Sequence, residues 1–413
     1  MRGITGRIVL FAALAATAWA ASEAPKRSPR DATATWKGKR VQLDKLPADV
    51  PAAAKLALET WLAWADEHGY RCDFDAQGRI LLVSPDRGSG PDAKLKSIAK
   101  TETWFDQLLP APPKPAEPAE ARPAPKDAPI PEDPETPPPG APKTDERPTS
   151  TTWSTTWGAG HGATDSITAV LFVLRDEADQ SALIDALAAR HAYLSGWSAV
   201  AKQQVGFVLE EPLCGAFVEK VRGQEEWDPE HELVHRAAQA LCLRRFGQLP
   251  YWLQTAVGWE AEVALDGTLY CFPYRDEFVF AAEHGGWPND LKSEFKDRDD
   301  RPLNIGEVAL WTRGKFDGKC ARKAWGLLHH AAGATKGKLS PLFAELARFR
   351  SEHDRRETGP NAWERIPGYE IPPHEQERML KAHLGDDLFE AATRAFKKGL
   401  EGVKSTAKAG ATR

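Results

Sequence analysis

Hydrophobic positions along this chain recur with two periods, and the places where the period changes mark its elements. Residues 52–67 carry apolar side chains at helical spacing. Tyr70-Arg71-Cys72-Asp73-Phe74 and Ile80-Leu81-Leu82-Val83 then flank a turn at Asp75-Ala76-Gln77-Gly78. That order predicts a helix followed by a β-hairpin with glycine at its turn. A second helix is predicted over 93–109. The β-branched and apolar run at 167–174 reads as a buried strand, 178–194 as a helix, and 204–209 and 214–218 as two short strands. Asp228-Pro229 places an acidic cap before a proline at the first helical position, which predicts a helix from there to Phe246, closed by Gly247. Pro250 opens the next helix, expected to reach about residue 264. Later helices are predicted over 320–332, 339–351 and 374–396.

Between these patterned stretches lies one with none. Residues 111–164 are rich in Pro, Ala, Glu and Lys, densest at Pro137-Pro138-Pro139, and end in an irregular run containing Trp153 and Trp157. Such a composition builds no core and reads as a linker. The chain thus divides into a lead-in at 21–36, a small α/β unit at 37–110, the linker at 111–164, a main domain at 165–396 and a basic tail at 397–413. Strands and helices mixed in this order predict an α+β fold.

The first twenty residues have the pattern of a secretory signal peptide. Arg2 and Arg7 precede an apolar stretch at 8–17, and Ala18-Trp19-Ala20 is a small-x-small cleavage site. The expected location is secreted, periplasmic or cell-envelope. Cleavage would take the formal charge from -5 to -7 by removing two arginines. A mildly acidic chain has no footprint for nucleic acid, and no later stretch has the apolar length of a membrane span. The five cysteines include no CxxC pair, so a cysteine-based zinc site is not indicated. Cys242 falls within a helical apolar face and reads as a small core residue.

The candidate chemistry is concentrated in His231-Glu232-Leu233-Val234-His235. Two histidines four residues apart share one helix face and can reach one metal ion, and a carboxylate beside them can take a proton from a metal-bound water. This pentapeptide, followed by Leu249-Pro250-Tyr251-Trp252-Leu253, resembles the gluzincin peptidases, and most of all the peptidase-MA-like bacterial secreted families, whose pattern is HELxH and then P-x-WLNEGLAxxxE. The likeness is sharp over 231–262. It implies a thermolysin-like zincin lobe, one Zn2+, and a peptide or protein substrate hydrolysed by metal-activated water. His231 and His235 match the metal ligands and Glu232 the general base.

The third ligand departs from that pattern. The ligand glutamate aligns with Thr255, a poor zinc ligand, the glycine after it with Ala256, and the final acidic position with Glu262. Glu262 lies near the face of Thr255 but roughly 10 Å further along the helix, whereas Glu260 points about 140° away. His284, in a later segment, is a further candidate. Glu262 is taken as the metal ligand, with Glu260 and His284 left open, and Glu262 has an alternative role orienting a ligand histidine. Tyr270, Tyr274, His329 and His330 are the available oxyanion donors. Two functions follow as expectations: a secreted zinc peptidase, or a peptidase-like protein without catalysis that serves as a cell-envelope binding or scaffold module.

Overall fold

The computed structural model describes residues 33–85, 90–111, 167–221, 227–270, 286–298, 301–309, 318–335, 337, 339–359, 362–366 and 369–400. The signal-peptide pattern, nearly all of the linker, Cys271, Tyr274, His284 and the tail beyond residue 400 lie outside them. Among the described residues the chain is an α+β protein with one seven-stranded mixed sheet, a separate two-stranded hairpin and twelve α-helices.

The sheet is built from both sides of the linker. Strands β1 (Thr33–Trp36), β2 (Lys39–Gln42), β3 (Tyr70–Phe74) and β4 (Ile80–Pro85) come from before it. Strands β5 (Ala169–Leu174), β6 (Gly206–Leu209) and β7 (Cys214–Val218) come from after it. The spatial order is β2-β1-β3-β4-β5-β7-β6. β4 and β5 pair in parallel at the centre, Ile80 to Val83 matching Ala169 to Phe172. Both faces of these strands are buried, which is why they read as unbroken apolar runs. β6 closes one edge, antiparallel to β7.

Alternate residues feed two cores. Leu81, Val83, Val170, Phe172, Cys214 and Ala216 face a layer containing α1 (Ala52–His68), α3 (Glu177–Arg190) and α4 (Ser195–Ala201). Ile80, Leu82, Leu171, Val173 and Phe217 face the larger core with α2 (Pro91–Leu108), α5 (Pro229–Phe246) and α6 (Tyr251–Asp266). Further helices complete that side: α7 (Trp287–Lys296), α8 (Gly306–Ala309), α9 (Gly318–Ala334), α10 (Leu339–His353), α11 (Pro373–Leu384) and α12 (Leu388–Lys398). The hairpin is β8 (Arg355–Gly359) with β9 (Ala362–Arg365). No described helix is long and apolar enough to cross a membrane.

Several features differ from the sequence expectation, among them a helix α4, a short helix α8 and the β8–β9 hairpin that no pattern announced. β1 starts at Thr33, inside the stretch read as a lead-in, and turns into β2 through Lys37 and Gly38, both at positive φ. The region 374–396 is two helices, because Gly385 at φ 110° ends α11. α7 was not expected; its Pro288 stands in the first turn, where a proline is tolerated.

Candidate functional site

Helix α5 is the element that carries the pentapeptide. Asp228 caps it by accepting from the Glu230 N–H, Pro229 opens it, and Gly247 closes it as the spacing required. It is packed on several sides, against α2, α6 and the sheet, so Leu233 to Leu243 are all buried. A helix so enclosed can keep polar groups only where each finds a partner.

Glu232 is fully buried and its partner is on its own helix. Arg236, 3 % exposed, donates from Nε to Glu232 Oε1 at 2.5 Å and from Nη1 to Gln239 at 3.1 Å. This ion pair lies beneath edge strand β6 at Gly206. A Cβ on Gly206 would come within 2.7 Å of Glu232 Oε1 and 2.9 Å of Arg236 Nε. Strand β6 therefore covers the carboxylate.

His235 is also fully buried. Its ring lies against the backbone of Gly258 on α6, where an added Cβ would stand 2.7–2.8 Å from three ring atoms. Its Nδ1 is 2.6 Å from Oε1 of Glu262, and the other Glu262 oxygen accepts the Tyr270 N–H at 2.6 Å. His231, at the helix start and slightly exposed, places Nδ1 3.9 Å from Glu262 Oε2 and 3.7 Å from Asp266 Oδ2. The Tyr270 ring covers His231 at 5.0 Å, and its hydroxyl accepts the Asp228 N–H at 2.7 Å. Burial pushes the Asp266 carboxyl up, with His231 pulling it back and Asp228 and Glu230 adding to the rise.

The structure thus brings His231, His235 and Glu262 together, and places Glu232 apart from them in the Arg236 pair. Glu260 points elsewhere, as helix geometry required. It meets His329 Nδ1 at 2.9 Å and accepts the Trp325 Nε1 proton at 3.2 Å, across the α6–α9 contact. Thr255 Oγ1 turns back to its own helix and donates to the Tyr251 carbonyl.

His235 Nδ1 and Glu262 Oε1, as arranged, do not share a zinc ion. Two ligands of one tetrahedral zinc, each at about 2.0–2.2 Å, stand about 3.3–3.5 Å from each other. The 2.6 Å between His235 and Glu262 is instead the spacing of a charge-assisted hydrogen bond, and the second Glu262 oxygen is already bonded to a backbone N–H. Among the described residues no group of three or more His, Cys, Asp or Glu side chains is placed to hold a metal ion. Sequence reasoning did not mark Arg236, Gly206 or Gly258. A residue four after Glu232 on the same helix was the available signal for the first; the two glycines gave none, since their role depends on tertiary contacts.

No protein-family model matches the chain, and no curated protein matches it.

Proposed function

We propose that this chain is a peptidase-like protein of the secreted or envelope space whose HELVH segment holds the fold together, and that it serves as a binding or scaffold module without hydrolysing peptides. The observation carrying this reading is the state of Glu232. A general base must reach the water it deprotonates within about 2.6–3.2 Å. Glu232 is buried under β6 and ion-paired to Arg236. Glu262 is part of the same bonded core, holding His235 through Nδ1 and tying α6 to the Tyr270 N–H.

One observation favours the second reading, a zinc peptidase. His231, His235 and Glu262 converge from two helices although Glu262 lies 27 residues beyond His235. On that reading these three side chains hold Zn2+, and Glu232 leaves Arg236 to act as base on a peptide substrate. Elemental mass spectrometry of residues 21–413, beside a His231→Ala control, separates the two. The non-catalytic reading expects metal far below one ion per chain and no difference in the control. Near-stoichiometric zinc that vanishes in the control would overturn it.

A further inference from the structure

We infer that residues 33–111 are one noncovalent half of a single folded body, seated on a surface formed by strand β5 and helix α5, so that the molecule stays in one piece when the chain is cut between residues 112 and 166. The sequence alone reads that stretch as a linker and leaves open whether it joins two units or interrupts one. The contacts across it favour the second.

The first support is the position of the junction in the sheet. β4 and β5 pair at its middle, with Ile80 to Val83 and Ala169 to Phe172 all 0–3 % exposed. Without residues 33–111, β5 would present an open edge of N–H and C=O groups, and Phe172 would lose Trp61 and Trp64 of α1. Such an edge is a strong template for pairing with the strand that fits it. The second support is α2. Its Ile98 and Phe105, and Leu109 just beyond, are fully buried in the same core as Leu233, Ala237 and Leu241 of α5. Apolar contact of this kind resembles a domain core divided in two, as in obligate interfaces.

The third support is a set of polar bonds that fix both ends of the excursion at one place. Adjacent arginines near the C-terminal end of α5 do most of this. Arg245 donates to the Leu109 carbonyl and to Asp106, where the chain leaves α2. Arg244 Nε donates to the Ile167 carbonyl at 2.6 Å, where the chain returns. Ser340 on α10 donates to the Pro110 carbonyl at 2.7 Å, and Thr168 to the Gly78 carbonyl at 2.8 Å. At the far end of the strands Tyr70 donates to Asp179 at 2.5 Å, Arg175 to the His68 carbonyl at 2.9 Å, and Lys94 pairs with Glu219 at 2.7 Å. Departure and return are thus both held by α5, from outside the connection between them. Its contribution is to keep the halves at high effective concentration.

The test uses the full mature chain carrying a site-specific protease sequence placed near residue 130. After complete cleavage, light scattering on a sizing column is expected to give one particle with the mass of the uncut monomer, containing both fragments in equal amounts. One cooperative thermal transition within a few degrees of the uncut chain is also expected. Fragments that elute separately in native buffer, or two independent transitions, would overturn the inference. A nicked Arg244→Ala/Arg245→Ala double variant provides the second measurement. It is expected to release the N-terminal fragment at a lower urea concentration than the nicked parent does. Release at the same concentration would mean the two arginines do not hold the ends.

Discussion

Glu232 and Glu262 are both fully buried carboxylates, and they have opposite partners: an arginine for the first, a histidine and a backbone amide for the second. Removing one member of a buried ion pair leaves the other uncompensated, typically at a cost of about 3–5 kcal/mol. Glu232→Gln is therefore expected to lower the free energy of unfolding by on the order of 2–4 kcal/mol, measured by urea denaturation, and Arg236→Met in addition to recover part of it. A catalytic base free of partners would instead be replaced at little cost in stability, so an unchanged urea midpoint contradicts this account. A second buried carboxyl gives a pH signature. Glu102 on α2 is pushed up to about 8, first by burial and then by the Asp75 charge, with Arg79 pulling the other way. Because its folded value lies above its ordinary one, the stabilisation is complete in acid, below the unfolded value, and is lost as pH rises through 8. Unfolding free energies from urea denaturation are expected to fall between about pH 5 and pH 9, by a few kcal/mol at most, and to fall much less in Glu102→Gln. Equal pH slopes in the two proteins would rule this out.

At the scale of elements, the contact between α5 and α6 rests on a glycine. Gly258→Ala would gain about 1 kcal/mol of helix propensity. The new methyl would stand 2.7–2.8 Å from the His235 ring, which has Trp259 on another side and Glu262 bonded to Nδ1. Overpacking of this kind costs about 1–3 kcal/mol, so a net loss is expected, seen as a lower midpoint in thermal unfolding. A rise would show that the ring can move away. This contact also shows how far the sequence could be read. The start and stop of α5, the strands β3 and β7, and the opposite orientations of Glu260 and Glu262 all followed from caps and helical period, which are local rules. The Arg236 pair, the cover provided by Gly206 and the exact partner of each Glu262 oxygen depend on which elements meet, which no local spacing encodes. β1 and β2 escaped notice because each is only four residues long, too short for a period to show.

The whole molecule was the least legible scale. A Pro-rich stretch between two patterned regions looks the same whether it joins two domains or interrupts one, because composition reports on the linker and not on its ends. The parallel pairing of β4 with β5, and the arginines that hold both ends, exist only once the chain is folded. At the same scale belongs the proposal that the HELVH segment is a hydrogen-bonded part of the core and holds no metal. A ligand that binds only the folded state must stabilise it, by about 2.7 kcal/mol at a hundredfold excess over its Kd. The most direct measurement is the melting temperature of residues 21–413 in EDTA and in added zinc, each beside His231→Ala. Equal melting temperatures in the two conditions are expected for the parent chain. A rise of several degrees in zinc, absent from His231→Ala, would contradict the claim and return the site to metal-dependent hydrolysis.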